Sequence, residues 1–129
     1  MLEVNVRKKL MSNEGEINLC AKFEINRNDF VTISGKSGAG KTTILRMIAG
    51  LTNPDQGTIK FKDQIWFSDD SKINLPCQKR NIGFVFQDYS LFPNMNVREN
   101  LLFALENKKD TEFIDYLLES TSIKGFEKR

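Results

Sequence analysis

Residues 33–46, ISGKSGAGKTTILR, constrain the fold more than any other part of the chain. Within them Gly35-Lys36-Ser37-Gly38-Ala39-Gly40-Lys41-Thr42 satisfies the pattern GxxxxGK[ST] at every required position. Each required residue type has a chemical reason. Glycines let the backbone bend so that successive N–H groups converge on phosphate oxygens. A helix beginning near Lys41 contributes its partial positive end and its unpaired N–H groups. Lys41 supplies a cation for β- and γ-phosphates, and the Thr42 hydroxyl is a ligand for Mg²⁺. A glycine-rich turn without a ligand is the bland alternative. The pattern also demands a strand before it and a helix after it, and both are legible here.

The strand before the loop is a short, nearly continuous apolar run, Phe30, Val31 and Ile33, ending at Gly35. Such a run suits a strand buried on both faces. After Lys41 the period changes: Ile44, Leu45 and Ile48 sit at helical spacing, with Gly50 as a C-terminal cap. Upstream, Leu2, Val4 and Val6 alternate with polar residues, and so do Ile17, Leu19, Ala21 and Phe23. This predicts two paired strands around a turn at 13–15. Asn53-Pro54-Asp55-Gln56-Gly57 is turn chemistry, and residues 58–62 and 65–67 return to a sheet-like pattern. Residues 68–80 read as a polar loop and 82–86 as a second buried strand. Asn96 followed by Glu99 predicts a capping box before Leu101, Leu102 and Leu105, and Phe113, Ile114, Leu117 and Leu118 mark another helix.

Composition removes several classes of function. The 129 residues carry a net charge of +2, which points to neither a nucleic acid nor a membrane surface as partner. There is no histidine, so histidine zinc sites and Ser-His or Cys-His catalysis are excluded within this chain. Cys20 and Cys77 stand far apart and read as two free thiols of a reduced protein. The N-terminus lacks the apolar core of a signal peptide. A further landmark is Gln87, directly after Ile82-Gly83-Phe84-Val85-Phe86. At the end of a buried strand, where open α/β sheets place their sites, its amide can reach Mg²⁺ or a water; taken alone it is a loop residue.

With both landmarks in place the chain resembles the nucleotide-binding subunit of an ABC transporter. The matching pieces are GKSGAGKTTILRMIAGL, PDQGTIKF and RNIGFVFQDYSLFPNMNVRENLLFAL, in that order, from near residue 2 to about residue 105. The resemblance implies an α/β fold. Its parts are a P-loop NTPase core represented by its N-terminal portion, an antiparallel β subdomain, and the start of a helical subdomain. Residues 1–34 and 57–67 would be mainly β, 35–50 the P-loop and its helix, 82–87 a strand and the Q-loop, and 88–129 the beginning of the helical part. It further implies that Gly35, Ser37, Gly38, Ala39, Gly40, Lys41, Thr42 and Thr43 bind ATP, that Thr42 and Gln87 serve Mg²⁺, and that Gln87 positions water. Residues 89–100 resemble the surface that receives a coupling helix of a transmembrane permease subunit; the plainer reading is a helix entry with Leu91 and Phe92 in the core. The implied partners are that permease and a second copy of the subunit. The implied location is cytoplasmic, at the inner face of the cell membrane. The segment KINLPCQKRNIGFVFQDYSLFPNMNVREN looks most like the molybdate-importer branch, and other anion and polyamine importers share much of it.

The sequence departs from the family in two respects. No aromatic stands near Leu10, Met11 and Ser12, where members usually stack on adenine. The LSGGQ signature, an apolar strand ending in Asp-Glu and a switch histidine are also absent. These departures predict a partial domain that does not turn ATP over by itself. The alternative function is a non-catalytic nucleotide-binding or interaction module.

Overall fold

The structure is a computed structural model describing residues 1–12, 15–88, 90–105 and 111–129, with only the backbone of Ser12. The chain forms two compact units, Met1–Phe84 and Val85–Arg129.

The first unit is built on an antiparallel sheet. Strand β1 (Leu2–Ser12) pairs with β2 (Gly15–Ile25) in continuous register from Leu2↔Ile25 to Ser12↔Gly15. On its other side β1 pairs with β3 (Gln56–Phe61), which continues through β4 (Gln64–Ser68) to the short β5 (Ile73–Asn74). The order is β2-β1-β3-β4-β5. Alternation sends Val4, Val6, Leu19 and Ala21 to one face, where they are buried. Helix α1 (Lys41–Ala49) covers that face and adds Ile44 and Met47 to the same cluster. Full burial of a side chain such as Ile59 or Met47 contributes about 1.5–3 kcal/mol.

Strand β4 buries two consecutive large residues, Trp66 and Phe67. A regular strand would send them to opposite faces. The pairing passes from Ile59↔Phe67 to Lys60↔Ile65, leaving Trp66 as the extra residue of a β-bulge. The bulge turns the indole inward beside Phe61, with ring centroids 4.9 Å apart.

In the second unit, helix α2 (Val97–Ala104) begins with the expected capping box. The Asn96 side chain accepts from Glu99 N at 2.9 Å, and Glu99 Oε2 accepts from Asn96 N at 2.8 Å. Two further N–H groups of the first turn, on Val97 and Arg98, donate to the carbonyls of Arg129 and Glu127. Helix α3 (Thr111–Ser120) buries Ile114 and Leu118, one turn apart.

Several expectations need correction. Residues 30–34 and 82–86, read as strands buried on both faces, belong to none of the strands, and no parallel pair occurs among the described residues. Phe30 and Val85 are each 92% exposed. An apolar run becomes a strand of a sheet only when a neighbouring strand pairs with it, and the strand pairings among the described residues include neither run. Residues 68–80, read as loop, contain β5 and a turn of 3₁₀ helix at Cys77–Lys79. Asn13 and Glu14, two of the three residues of the expected hairpin turn, lie outside the described residues, as does Tyr89.

Candidate phosphate-binding site

Helix α1 starts at Lys41, with Gly40 as its N-cap at φ 88° and ψ 11°. A left-handed cap of this kind favours glycine, and space reinforces the choice. A Cβ on Gly40 would lie 2.9 Å from Leu19 Cδ1 and 3.3 Å from Leu10 Cδ1. The end of the β1–β2 hairpin is therefore packed directly under the entry to α1. The loop closes on itself through Ala39 N donating to Lys36 O at 3.2 Å, and the helix ladder begins with Ile44 N donating to Gly40 O at 3.0 Å. The N–H groups of Lys41, Thr42 and Thr43 precede that first bond and have no acceptor within the helix. No acidic side chain occupies the first turn, so nothing there competes with an incoming anion for the helix end.

The Lys41 side chain is already bent over the loop. Its ammonium donates to Gly35 O at 2.8 Å and to Lys36 O at 2.7 Å. Two of its three protons are thereby used and the side-chain rotamers fixed, which leaves a third proton and the charge for a ligand. Ser37, Gly38, Ala39 and Thr42 are exposed, and Thr43 is half-buried. The structure thus brings Gly35, Ser37, Gly38, Ala39, Gly40, Lys41, Thr42 and Thr43 into one loop and helix start. Below Lys41 and Thr42 a cavity of about 330 Å³ runs along α1 between Leu45 and Ile48 on one side and Phe23 and Ile33 on the other.

Among the described residues no cluster of three or more acidic, cysteine or histidine side chains is arranged to hold a metal ion. The donor chemistry fits Mg²⁺ only in part. Thr42 offers one hard oxygen, and this ion ordinarily takes most of its shell from phosphates and water. Gln87 belongs to the second unit, where it is exposed in a turn.

The segment at residues 90–100 is more internally committed than its sequence indicates. The Asn100 side chain accepts from Phe92 N and donates to the carbonyls of Phe92, Met95 and Asn96, folding the segment onto α2. Arg98 pairs with Asp115 at 2.7 Å and Glu127 at 3.2 Å. Its hydrogen bond holds the Asp115 carboxyl below the usual carboxylate range. Leu91 remains 69% exposed and Phe103 58%, with the Phe103 and Phe92 rings 4.5 Å apart.

Sequence reasoning missed Arg80, which is 3% exposed. Its guanidinium donates to the carbonyls of Met47, Ile48, Leu75 and Trp66. Burial pushes its pKa down from the ordinary arginine range. The local signal was a basic residue two positions before an apolar run.

The chain is 44% identical over 115 residues to the molybdenum import ATP-binding protein ModC of Vibrio parahaemolyticus, a match covering 89% of this chain and 31% of that protein. It is 45% identical over 131 residues to the spermidine/putrescine import ATP-binding protein PotA of Clostridium acetobutylicum, covering 97% of this chain and 35% of the relative. The chain thus spans about a third of the length of the curated relatives it matches. Among solved structures, the dimeric structure of MJ0796, a bacterial ABC transporter cassette, superposes with a TM-score of 0.74 at 27% identity, covering 100% of this chain and 61% of that one. The sequence profile described as ABC transporter matches residues 20–129, and the chain belongs to that family.

Proposed function

We propose that this chain is the nucleotide-binding part of an ATP-binding subunit of an ABC importer, and that Lys41 and the N-terminus of α1 hold the β- and γ-phosphates of ATP. The observation that carries the reading is the pre-bent lysine, fixed by Gly35 O and Lys36 O beside unpaired helix N–H groups. Binding then needs no rearrangement of the cation, which keeps the ordering cost low. Gly35, Ser37, Gly38, Ala39 and Gly40 form the cradle, and Thr43 completes the first turn. Mg²⁺ bound with the nucleotide is held by the Thr42 hydroxyl, and the ion neutralises phosphate charge.

The partners in this reading are a second copy of the chain and a membrane-spanning permease, with the subunit at the cytoplasmic face of the membrane. One solved neighbour is a dimeric cassette, and among the described residues no helix is long and apolar enough to cross a membrane. The exposed Leu91, Phe92 and Phe103 supply an apolar contact for the permease. Molybdate is the favoured cargo, supported by several ModC relatives, and a polyamine is the competing cargo, supported by PotA.

A second reading, nucleotide binding without turnover by this chain alone, is favoured by the lining of the cavity beside Lys41 and Thr42. Its residues are apolar apart from those two, and none carries a carboxylate. Hydrolysis needs a group to position and deprotonate the attacking water, and an amide such as Gln87 is a poor base.

Titration of the protein with Mg-ATP tests the first reading. Replacing Lys41 by Ala removes a charge-assisted contact and lowers affinity by about 1.5–3 kcal/mol, roughly 10- to 150-fold. Equal affinity in a folded Lys41→Ala variant overturns the assignment. A phosphate-release assay tests the second: steady turnover lost in Lys41→Ala requires a base that this reading omits.

A further inference from the structure

We propose that Arg80 is a positioning residue for the phosphate site, acting through α1 by clamping the carbonyl end of that helix to the sheet; the proposal rests on the nucleotide-binding reading above. Arg80 lies 39 residues from Lys41 in sequence and takes no part in the loop. What it touches is the opposite end of the same helix. One Nη1 donates to both Met47 O and Ile48 O at 2.8 Å, two of the last carbonyls of α1. Nη2 donates to Trp66 O at 3.2 Å on the bulge of β4, and Nε donates to Leu75 O at 2.9 Å just after β5. A single rigid fork therefore joins α1 to β4 and to the segment just after β5.

Two other features make the joint tight. The guanidinium carbon lies 5.7 Å from the centre of the Trp66 ring, so the plane is braced by an aromatic that is itself buried. On the other side stands Gly50, the C-cap of α1. A Cβ there would lie 2.8 Å from Arg80 Nε and 2.9 Å from its Cζ. The helix cap is thus bare where the guanidinium passes. Among the described residues Arg80 makes no ion pair, so its charge is balanced by carbonyl dipoles, those at the negative end of α1 included.

The geometry gives this clamp leverage. A helix of nine residues is about 13 Å long, so a tilt of about 10° about its clamped end moves the other end by about 2 Å. Displacement of that size is enough to spoil a site whose donors must meet phosphate oxygens at hydrogen-bond distance. Lys can replace the charge of Arg80. It cannot span acceptors on three elements, because its ammonium is a point donor on a flexible stem.

The test uses Arg80→Lys and Arg80→Met, with wild type and Lys41→Ala as references, at a temperature where each variant is folded by circular dichroism. Mg-ATP affinity is measured by titration, and the amide resonances of Gly38, Gly40 and Lys41 are followed by NMR. We expect Arg80→Lys to weaken Mg-ATP about tenfold and to shift those three amides, although the substitution lies at the other end of the helix. A purely stabilising role predicts a lower Tm with affinity and loop amides unchanged, and that result overturns the proposal. A measurement on unmutated protein covers the case in which both variants fail to fold. Coupling is reciprocal, so saturating Mg-ATP must shift the Arg80 Nε–H resonance, and must not do so in Lys41→Ala. An Arg80 resonance that stays put while Lys41-dependent binding is observed refutes the clamp and leaves the nucleotide reading standing. Absence of any Lys41-dependent binding in wild type removes the nucleotide reading, and the clamp falls with it.

Discussion

Replacing Gly57 by Ala should damage the sheet more than its position at the end of a surface turn would lead one to expect. Gly57 sits in β3 opposite Val6 of β1, with φ at +106°. An L-residue in a left-handed conformation costs about 1–2 kcal/mol. The added Cβ would also lie 2.0 Å from Asn5 O and 2.9 Å from Val6 Cα, both backbone atoms of the neighbouring strand that cannot swing aside. Relief requires β1 and β3 to part by about 1 Å, which breaks roughly one ladder hydrogen bond, about 1 kcal/mol. Together these give a destabilisation of about 2–3 kcal/mol, a large share of the ~5–15 kcal/mol that holds a typical domain together. Gly15→Ala is the internal comparison. It also has positive φ, at +117°, but nothing lies within 4 Å of its virtual Cβ, so it isolates the backbone cost from the collision. Urea unfolding followed by fluorescence of Trp66 reports this unit, since Trp66 is the single tryptophan and is buried in β4. A Gly57→Ala variant within about 0.5 kcal/mol of wild type, or no worse than Gly15→Ala, would refute the argument from strand separation.

Two further outcomes follow from hydrogen bonds that tie local structure together. The Asp55 carboxyl is held below its ordinary value by the Lys9 backbone N–H and then by the Lys8 ammonium. A depressed folded pKa means stability present above the unfolded value of about 3.9 and lost as pH falls through the folded one, so Asp55→Asn should flatten that acid limb by less than about 1 kcal/mol, read from urea midpoints between pH 2 and 6. Removing the capping side chain with Asn96→Ala should cost α2 about 1 kcal/mol, seen as faster amide exchange in its first turn, and unchanged exchange there would contradict the capping geometry.

Features fixed by nearby residues were legible in the sequence. The capping box of Asn96 and Glu99, the cap at Gly50 and the glycine-rich turn that opens α1 each depend on residue types a few positions apart, and each stands where the pattern placed it. The β1–β2 hairpin was legible because alternation alone sets which face is buried. Residues 30–34 and 82–86 were misread because an apolar run records hydrophobicity and not the strand that must lie beside it. Arg80 was illegible for a related reason. Its acceptors on α1 are 32 and 33 positions away, and nothing in the residues flanking Arg80 encodes them.

The phosphate end and the base end of the candidate site differ in how strongly the fold specifies them, and the hairpin explains why. Leu10 and Leu19 are turned under Gly40, where their methyl groups fill the space a Cβ would take. That packing supports the entry to α1, and it also commits the inward side chains near the hairpin end to the loop's underside. Met11, next along β1, is 83% exposed and faces away from the buried row. Among the described residues of this hairpin end, Leu10, Met11 and Ile17 are aliphatic, so no aromatic plane is offered to a purine ring. In the proposed nucleotide-binding role, recognition would rest on charge and on backbone N–H groups, which every nucleoside triphosphate satisfies equally. A site built this way reads the phosphate chain first. Preference for one base over another must come from contacts weaker than the ~1–3 kcal/mol that a stacked aromatic supplies.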